Sequence, residues 1–211
     1  MQEHSHFIES CCTDVDSVLL ARRSGAGRIE LCENLAVGGV TPRESLIREV
    51  ISLAKIPVNV LVRPRGGDFV YRAEEIKEME RSIRLCRELG AAGVVIGALT
   101  PGGSVDMAAM RPLMAVARES GALSVTFHRA FDVCSDPLRA FEDIIALGCD
   151  RLLTSGHEAD AYQGRYFIGE LVRRSAGRIT VMAGCGVRPS NIEEIAAASS
   201  APEYHSSCFW Q

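Results

Sequence analysis

The amino-acid sequence predicts an α/β fold, a (β/α)8 TIM barrel, as a single domain over residues 1–211. Three observations carry this. A grammar repeats along the chain: a helical stretch ends in Gly plus a small residue, and a short β-branched run follows. "RRSGAGRIELC", "RELGAAGVVIGA", "IALGCDRLLTSG" and "SAGRITVMAGCG" are examples. Gly is the expected residue just past a helix, and the Val/Ile/Leu run reads as a buried parallel strand. Eight such runs recur at intervals of roughly 20–35 residues, which is a βα period. No GxGxxG follows the first run, so a doubly wound sheet lacks its main signature, and eight strands suit closure better. The chain is 47% hydrophobic, ample for one large core.

The strands are expected near residues 7–12, 28–33, 58–63, 93–98, 123–128, 151–155, 178–183 and 203–206. Between the first two, "DVDSVLLARRSG" reads as a helix capped by Asp14 or Asp16. After the third, "RAEEIKEMERSIRLCRELG" places Ile76, Met79, Ile83 and Cys86 near helical spacing, with charges elsewhere. After the seventh, "PSNIEEIAAAS" puts Pro189 and Ser190 near a helix start. The sequence then runs into "EYHSSCFWQ", so the helix after strand eight is expected to be lacking. Cys208, Phe209 and Trp210 would border an uncovered apolar flank, and a homo-oligomer, dimer or tetramer, is expected to cover it.

Composition narrows the function classes. The net charge is −4 with no long basic stripe, so nucleic acid is not the expected partner. No apolar run reaches about 18 residues, so no membrane-spanning helix is expected. "MQEHSHFIES" is too polar for a signal peptide, which points to the cytoplasm. Eight cysteines are scattered with no CxxC pair, as in chains that keep their thiols reduced. Cys86 and Cys149 read as small core residues.

The first two strands carry an echo, "IESCC" and "IELC", in which Ile-Glu-x-Cys occurs twice. Side chains in a barrel alternate between interior and helix layer. Ile8, Ile29 and Leu31 should pack under helices, so Glu9, Cys11, Glu30 and Cys32 point inward, with the thiols nearer the C-terminal mouth. Other strand ends add Arg63, Arg65 and Asp68, then His128, Arg129 and Asp132, then Thr154 and Ser155. Gly184, Cys185 and Gly186 follow strand seven, and Glu203, His205 and Ser206 lie on strand eight. Functional groups of barrel enzymes collect at this face. Glu9, Glu30, His128 and His205 are the acid–base candidates. Arg63, Arg65, Arg129, Ser155, Gly184 and Gly186 are the anion-binding candidates. Glu9 and Glu30 would find partners in Arg63, Arg65 or His128. Two plainer alternatives stand beside these: a Glu–Arg cluster that only plugs the barrel, and cysteines that only fill space.

The motifs "RIELC", "GGVTP", "RPRGGDFVY", "GALTPGGSVD", "TFHRAFD", "DRLLTSG" and "EYHSS" together resemble the copper homeostasis protein CutC family, over essentially the whole chain. The resemblance implies a TIM barrel, a cytoplasmic location, oligomeric assembly and a role in copper handling. It also implies Cu(I) coordination by two cysteines, matching Cys11 and Cys32. Two departures stand out. Cys185 interrupts what is a glycine run in the family, and the family's chain continues past strand eight with a further helix.

Thiolates are soft ligands that suit Cu(I). Linear coordination needs sulfurs about 4–5 Å apart, near the spacing of adjacent strands. Zinc would call on further ligands such as His128 or His205. Two functions follow: Cu(I) binding in copper homeostasis, or lyase- or isomerase-type acid–base chemistry on a small anionic metabolite, phosphorylated ones included. A Schiff-base mechanism is not expected, since Lys55 precedes strand three and Lys77 lies on a helix. A scaffold with a decayed site is the third option.

Overall fold

The β-branched runs become the eight strands of one parallel sheet that closes on itself, in strand order 1 to 8. They are β1 (Phe7–Cys12), β2 (Arg28–Leu31), β3 (Val58–Leu61), β4 (Gly93–Ile96), β5 (Ser124–Phe127), β6 (Arg151–Thr154), β7 (Thr180–Gly184) and β8 (Glu203–Ser206). The coordinates are a computed structural model, and the structure describes residues 6–119, 121 and 123–207. Closure is made by β1 against β8, with Glu9 level with His205.

Among the described residues seven α-helices alternate with the strands: α1 (Val15–Arg23), α2 (Glu44–Ala54), α3 (Ala73–Leu89), α4 (Met107–Arg118), α5 (Pro137–Ala146), α6 (Arg165–Ser175) and α7 (Ile192–Ser199). Asp14 caps α1 through a capping box, its Oδ1 accepting from the Ser17 amide at 2.7 Å. α3 matches the expected span closely and ends at Gly90, whose φ of 87° is the left-handed conformation that stops a helix. α7 starts later than expected, with Asn191 rather than Ser190 at its N-cap position. The Asn191 side chain is spent on the preceding loop instead. It accepts from the Arg188 amide at 2.8 Å and donates to the Gly186 carbonyl at 2.9 Å.

The main core lies between sheet and helices. Ile29, Leu31, Val60, Val94, Phe127 and Leu152 are fully buried there, joined by Cys86 and Cys149. Each fully buried large apolar side chain contributes about 1.5–3 kcal/mol. Inside the barrel a second, small apolar cluster forms from Cys11, Cys32, Leu61 and Val95. No helix among the described residues is long and apolar enough to cross a membrane. Cys208, Phe209 and Trp210 lie outside the described residues.

Candidate functional site

The strand register decides what the Ile-Glu-x-Cys echo does. β1 and β2 pair with Glu9 level with Arg28 and Cys11 level with Glu30. The two copies are therefore staggered by two residues, one full inward step. The stagger sets Cys11 beside both Glu30 and Cys32. The Cys11 and Cys32 sulfurs are 3.5 Å apart and buried. That shared hydrogen bond, then burial, then the Glu30 carboxylate hold the Cys11 thiol well above its ordinary pKa.

Below the thiols the barrel is plugged by charge. Arg28 donates to Glu9 and to Glu203, and Arg151 Nε donates to Glu203 at 2.9 Å. Asn59 adds a hydrogen bond to Glu9 at 3.3 Å. Glu9 is wholly buried in this plug and does not face the mouth. Its partner is Arg28, not Arg63, Arg65 or His128. Arg28 opens β2 and shares the inward face of Glu30 by the period of two, a local signal that the sequence reading left unused.

Above the plug a cavity of about 760 Å³ opens at the C-terminal ends of the strands. Cys11, Cys32, Glu30, Arg63, His128, Arg129, Gly186 and His205 line it. Glu30 is bonded to His205 Nε2. Burial raises the Glu30 pKa, but the His205 charge and hydrogen bond outweigh it, and the result is below the ordinary carboxylate value. Burial likewise pulls His205 down, and the Glu30 carboxylate more than offsets it, so His205 titrates above an ordinary histidine. The two form an ion pair across the β8–β1–β2 seam.

His128 is the opposite case. It is 5% exposed, and burial together with the Arg63 charge lowers its pKa to about 4. Its Nδ1 accepts from the Ala130 amide at 3.2 Å, which fixes the proton of the neutral ring on Nε2. Gly97 makes room for the ring: a Cβ there would lie 2.6 Å from His128.

The other candidates divide. Arg63 stacks over Phe69 at 4.7 Å and donates to three backbone carbonyls, those of Val37, Gly39 and Gly67. It thus shapes the loops after β2 and β3 while its charge borders the cavity. Arg65 is committed elsewhere, to Glu75 at 2.7 Å and Asp68 at 3.0 Å, and does not line the cavity. Arg129 pairs with Asp132 at 2.9 Å. Ser155 is buried behind the rim, donating to the Glu158 carbonyl at 2.7 Å. Gly184 lies within β7 and does not line the cavity. Cys185 sits at φ 76° and donates to the Ala159 carbonyl at 3.3 Å. Arg188, which sequence reading passed over two residues beyond the "GCG" turn, does line the cavity.

For a metal, the described residues bring Cys11, Glu30 and His205 ligand atoms within 4.8 Å of one another. The thiol pair adds Cys32. Two soft donors beside a carboxylate and an imidazole can bind Cu(I) or a borderline ion such as zinc.

Comparison with known proteins bears on the same chain. A sequence profile of the CutC family matches residues 6–209. A CutC family protein from Histophilus somni is 49% identical over 198 residues, covering 94% of this chain and 80% of the relative. One from Parabacteroides distasonis is 49% identical over 201 residues, covering 95% and 82%. Among solved structures, a Streptococcus agalactiae protein described as a copper homeostasis protein, CutC, superposes with a TM-score of 0.89 at 32% identity, over 95% of this chain and 98% of that one.

Proposed function

The chain belongs to the CutC family, and from that premise we propose that it serves copper homeostasis by holding Cu(I) between the thiols of Cys11 and Cys32. The observation that supports this is the pair itself: two sulfurs 3.5 Å apart, one on β1 and one just past the end of the adjacent β2, lining an open cavity. Digonal coordination needs a somewhat wider separation, about 4–5 Å, and small side-chain rotations supply it. Leu61 and Val95 wall the pair with apolar surface, which favours a soft, weakly hydrated ion over a hard one. The Cys11 thiol carries its proton at neutral pH, so metal entry releases it and affinity rises with pH.

Titration of the reduced, metal-free protein with Cu(I) against a competing chelator tests this. About one tightly bound Cu(I) per chain is expected, lost in Cys11→Ser/Cys32→Ser. Equal, weak binding by both proteins would sink the copper reading.

A second reading, acid–base chemistry on a small anionic metabolite, draws on a separate observation. The Glu30–His205 ion pair and the cationic wall of Arg63, Arg129 and Arg188 border the same cavity. Neither feature is needed to bind Cu(I). Incubating the metal-free protein with candidate metabolites and following turnover, wild type against Glu30→Gln, tests it. Conversion by wild type alone supports it.

A further inference from the structure

The polar groups around the cavity do not all find partners, and those left over share a chemistry. Arg63 is 5% exposed, yet its guanidinium has no carboxylate partner among the described residues. Among the described residues its hydrogen bonds go to neutral carbonyls, with the neutral Tyr71 hydroxyl beside it, and its Nε finds no acceptor in hydrogen-bonding geometry. A buried cation without a counter-charge is costly. Among the described residues the Arg188 guanidinium, at the rim, donates only to the adjacent Val187 carbonyl, at 2.9 Å. His128 Nε2, which carries the ring proton, is buried with no acceptor among the described residues. An unmatched buried donor is costly. All three residues line one cavity. Arg129 adds a fourth donor group there, partly neutralised by Asp132.

These groups are arranged from rim to floor. Arg188 follows β7 and belongs to the loop that Asn191 pins through Gly186 and Arg188. His128 and Arg63 follow β5 and β3. A ligand that satisfies them needs negative charge at the rim and a neutral oxygen acceptor deeper in. The volume of about 760 Å³ lies within the range of small-molecule sites, roughly 300–1,000 Å³. It exceeds what a lone inorganic anion needs.

We propose that the cavity binds a small phosphorylated metabolite, its phosphoryl group on Arg188 and Arg129 and a carbonyl or hydroxyl oxygen on the Nε2–H of His128, within the field of Arg63. This deepens the acid–base reading by naming the ligand class, and it is independent of copper. The site sets the oxygen that accepts from His128 within the same cavity as the Glu30–His205 pair.

Calorimetric titration of the reduced, metal-free protein tests it, with ribose 5-phosphate, 3-phosphoglycerate, ribose and inorganic phosphate as probes. At least one organic phosphate should bind once per chain, tenfold or more tighter than inorganic phosphate, with ribose silent. Arg188→Ala and His128→Ala should each weaken that binding by about tenfold or more, the usual effect of losing a hydrogen bond to a charged or buried group. His128→Gln, whose amide also donates, should recover part of the loss. Arg188→Ala lies at the half-exposed rim and keeps the test valid should the His128 variants fold poorly. The proposal is overturned if neither organic phosphate binds. It is equally overturned if inorganic phosphate binds as tightly as both, or if Arg188→Ala leaves binding unchanged. Binding is read without turnover, so an organic phosphate that binds but is not converted supports this site and removes the acid–base reading.

Discussion

His128 owes its chemistry to its neighbours. Burial and the Arg63 charge keep it neutral down to a pKa of about 4. Between pH 6.5 and about 4 the unfolded chain takes up a proton at this residue and the folded chain does not, so stability falls as pH falls. Its contribution to that loss is on the order of 3 kcal/mol by pH 4. Urea unfolding at pH 7 and 4.5 should show a shallower pH dependence for His128→Gln than for wild type; parallel curves would contradict the assignment. Cys185 is a second test. A non-glycine residue at φ 76° is strained by about 1 kcal/mol or more. Cys185→Gly should therefore be neutral or stabilising by up to about 1 kcal/mol in the same assay. The position of Cys185 between two glycines was visible in the sequence, and its departure from a glycine run came from the family resemblance. The fate of Arg63 was not, because its acceptors include carbonyls 24 and 26 residues away along the chain, in a loop whose path no local pattern records.

Among the elements, the strands were the most legible. Each β-branched run had to be buried on both faces, and positive-φ glycines such as Gly90 and Gly148 mark the turns that lead into them. The inward set Glu9, Cys11, Glu30 and Cys32 followed from the period of two. The two-residue stagger between β1 and β2 did not, since register is set by pairing and barrel shear rather than by either strand alone. At the mouth, loops are joined by single side chains. The Asp132 carboxylate accepts from the Ser155 amide at 3.0 Å and from Thr154, and pairs with Arg129, so one residue after β5 holds the loop after β6. Asp132→Ala leaves buried donors unmatched and should cost about 2–3 kcal/mol. Hydrogen exchange should localise the loosening to the segments after β5 and β6, with the β1–β4 amides unchanged.

At the scale of the whole molecule, the barrel interior is divided into an ionic floor and a reactive mouth. The floor joins β1, β2, β6 and β8 through Glu9, Arg28, Arg151 and Glu203. Arg28→Met strands the Glu9 carboxylate in the interior and leaves Glu203 with Arg151 alone, and should destabilise by roughly 3–5 kcal/mol. Glu9→Gln/Arg28→Met should cost less than the sum of the single changes, because the two residues share one network. An additive double-mutant cycle in urea would show that they do not.

The bond from Arg28 to Glu203 spans 175 residues. During synthesis, the second strand emerges long before the residue that completes its charge balance. Arg28 has only Glu9 to meet until the last strand leaves the ribosome. The nascent chain can form its early helices and βα pairs, but its central ion network stays open until Glu203 on β8 arrives. Emergence of β8 thus becomes the event that seals the interior, and a chain lacking β8 would carry an unbalanced cation where the folded protein has its floor.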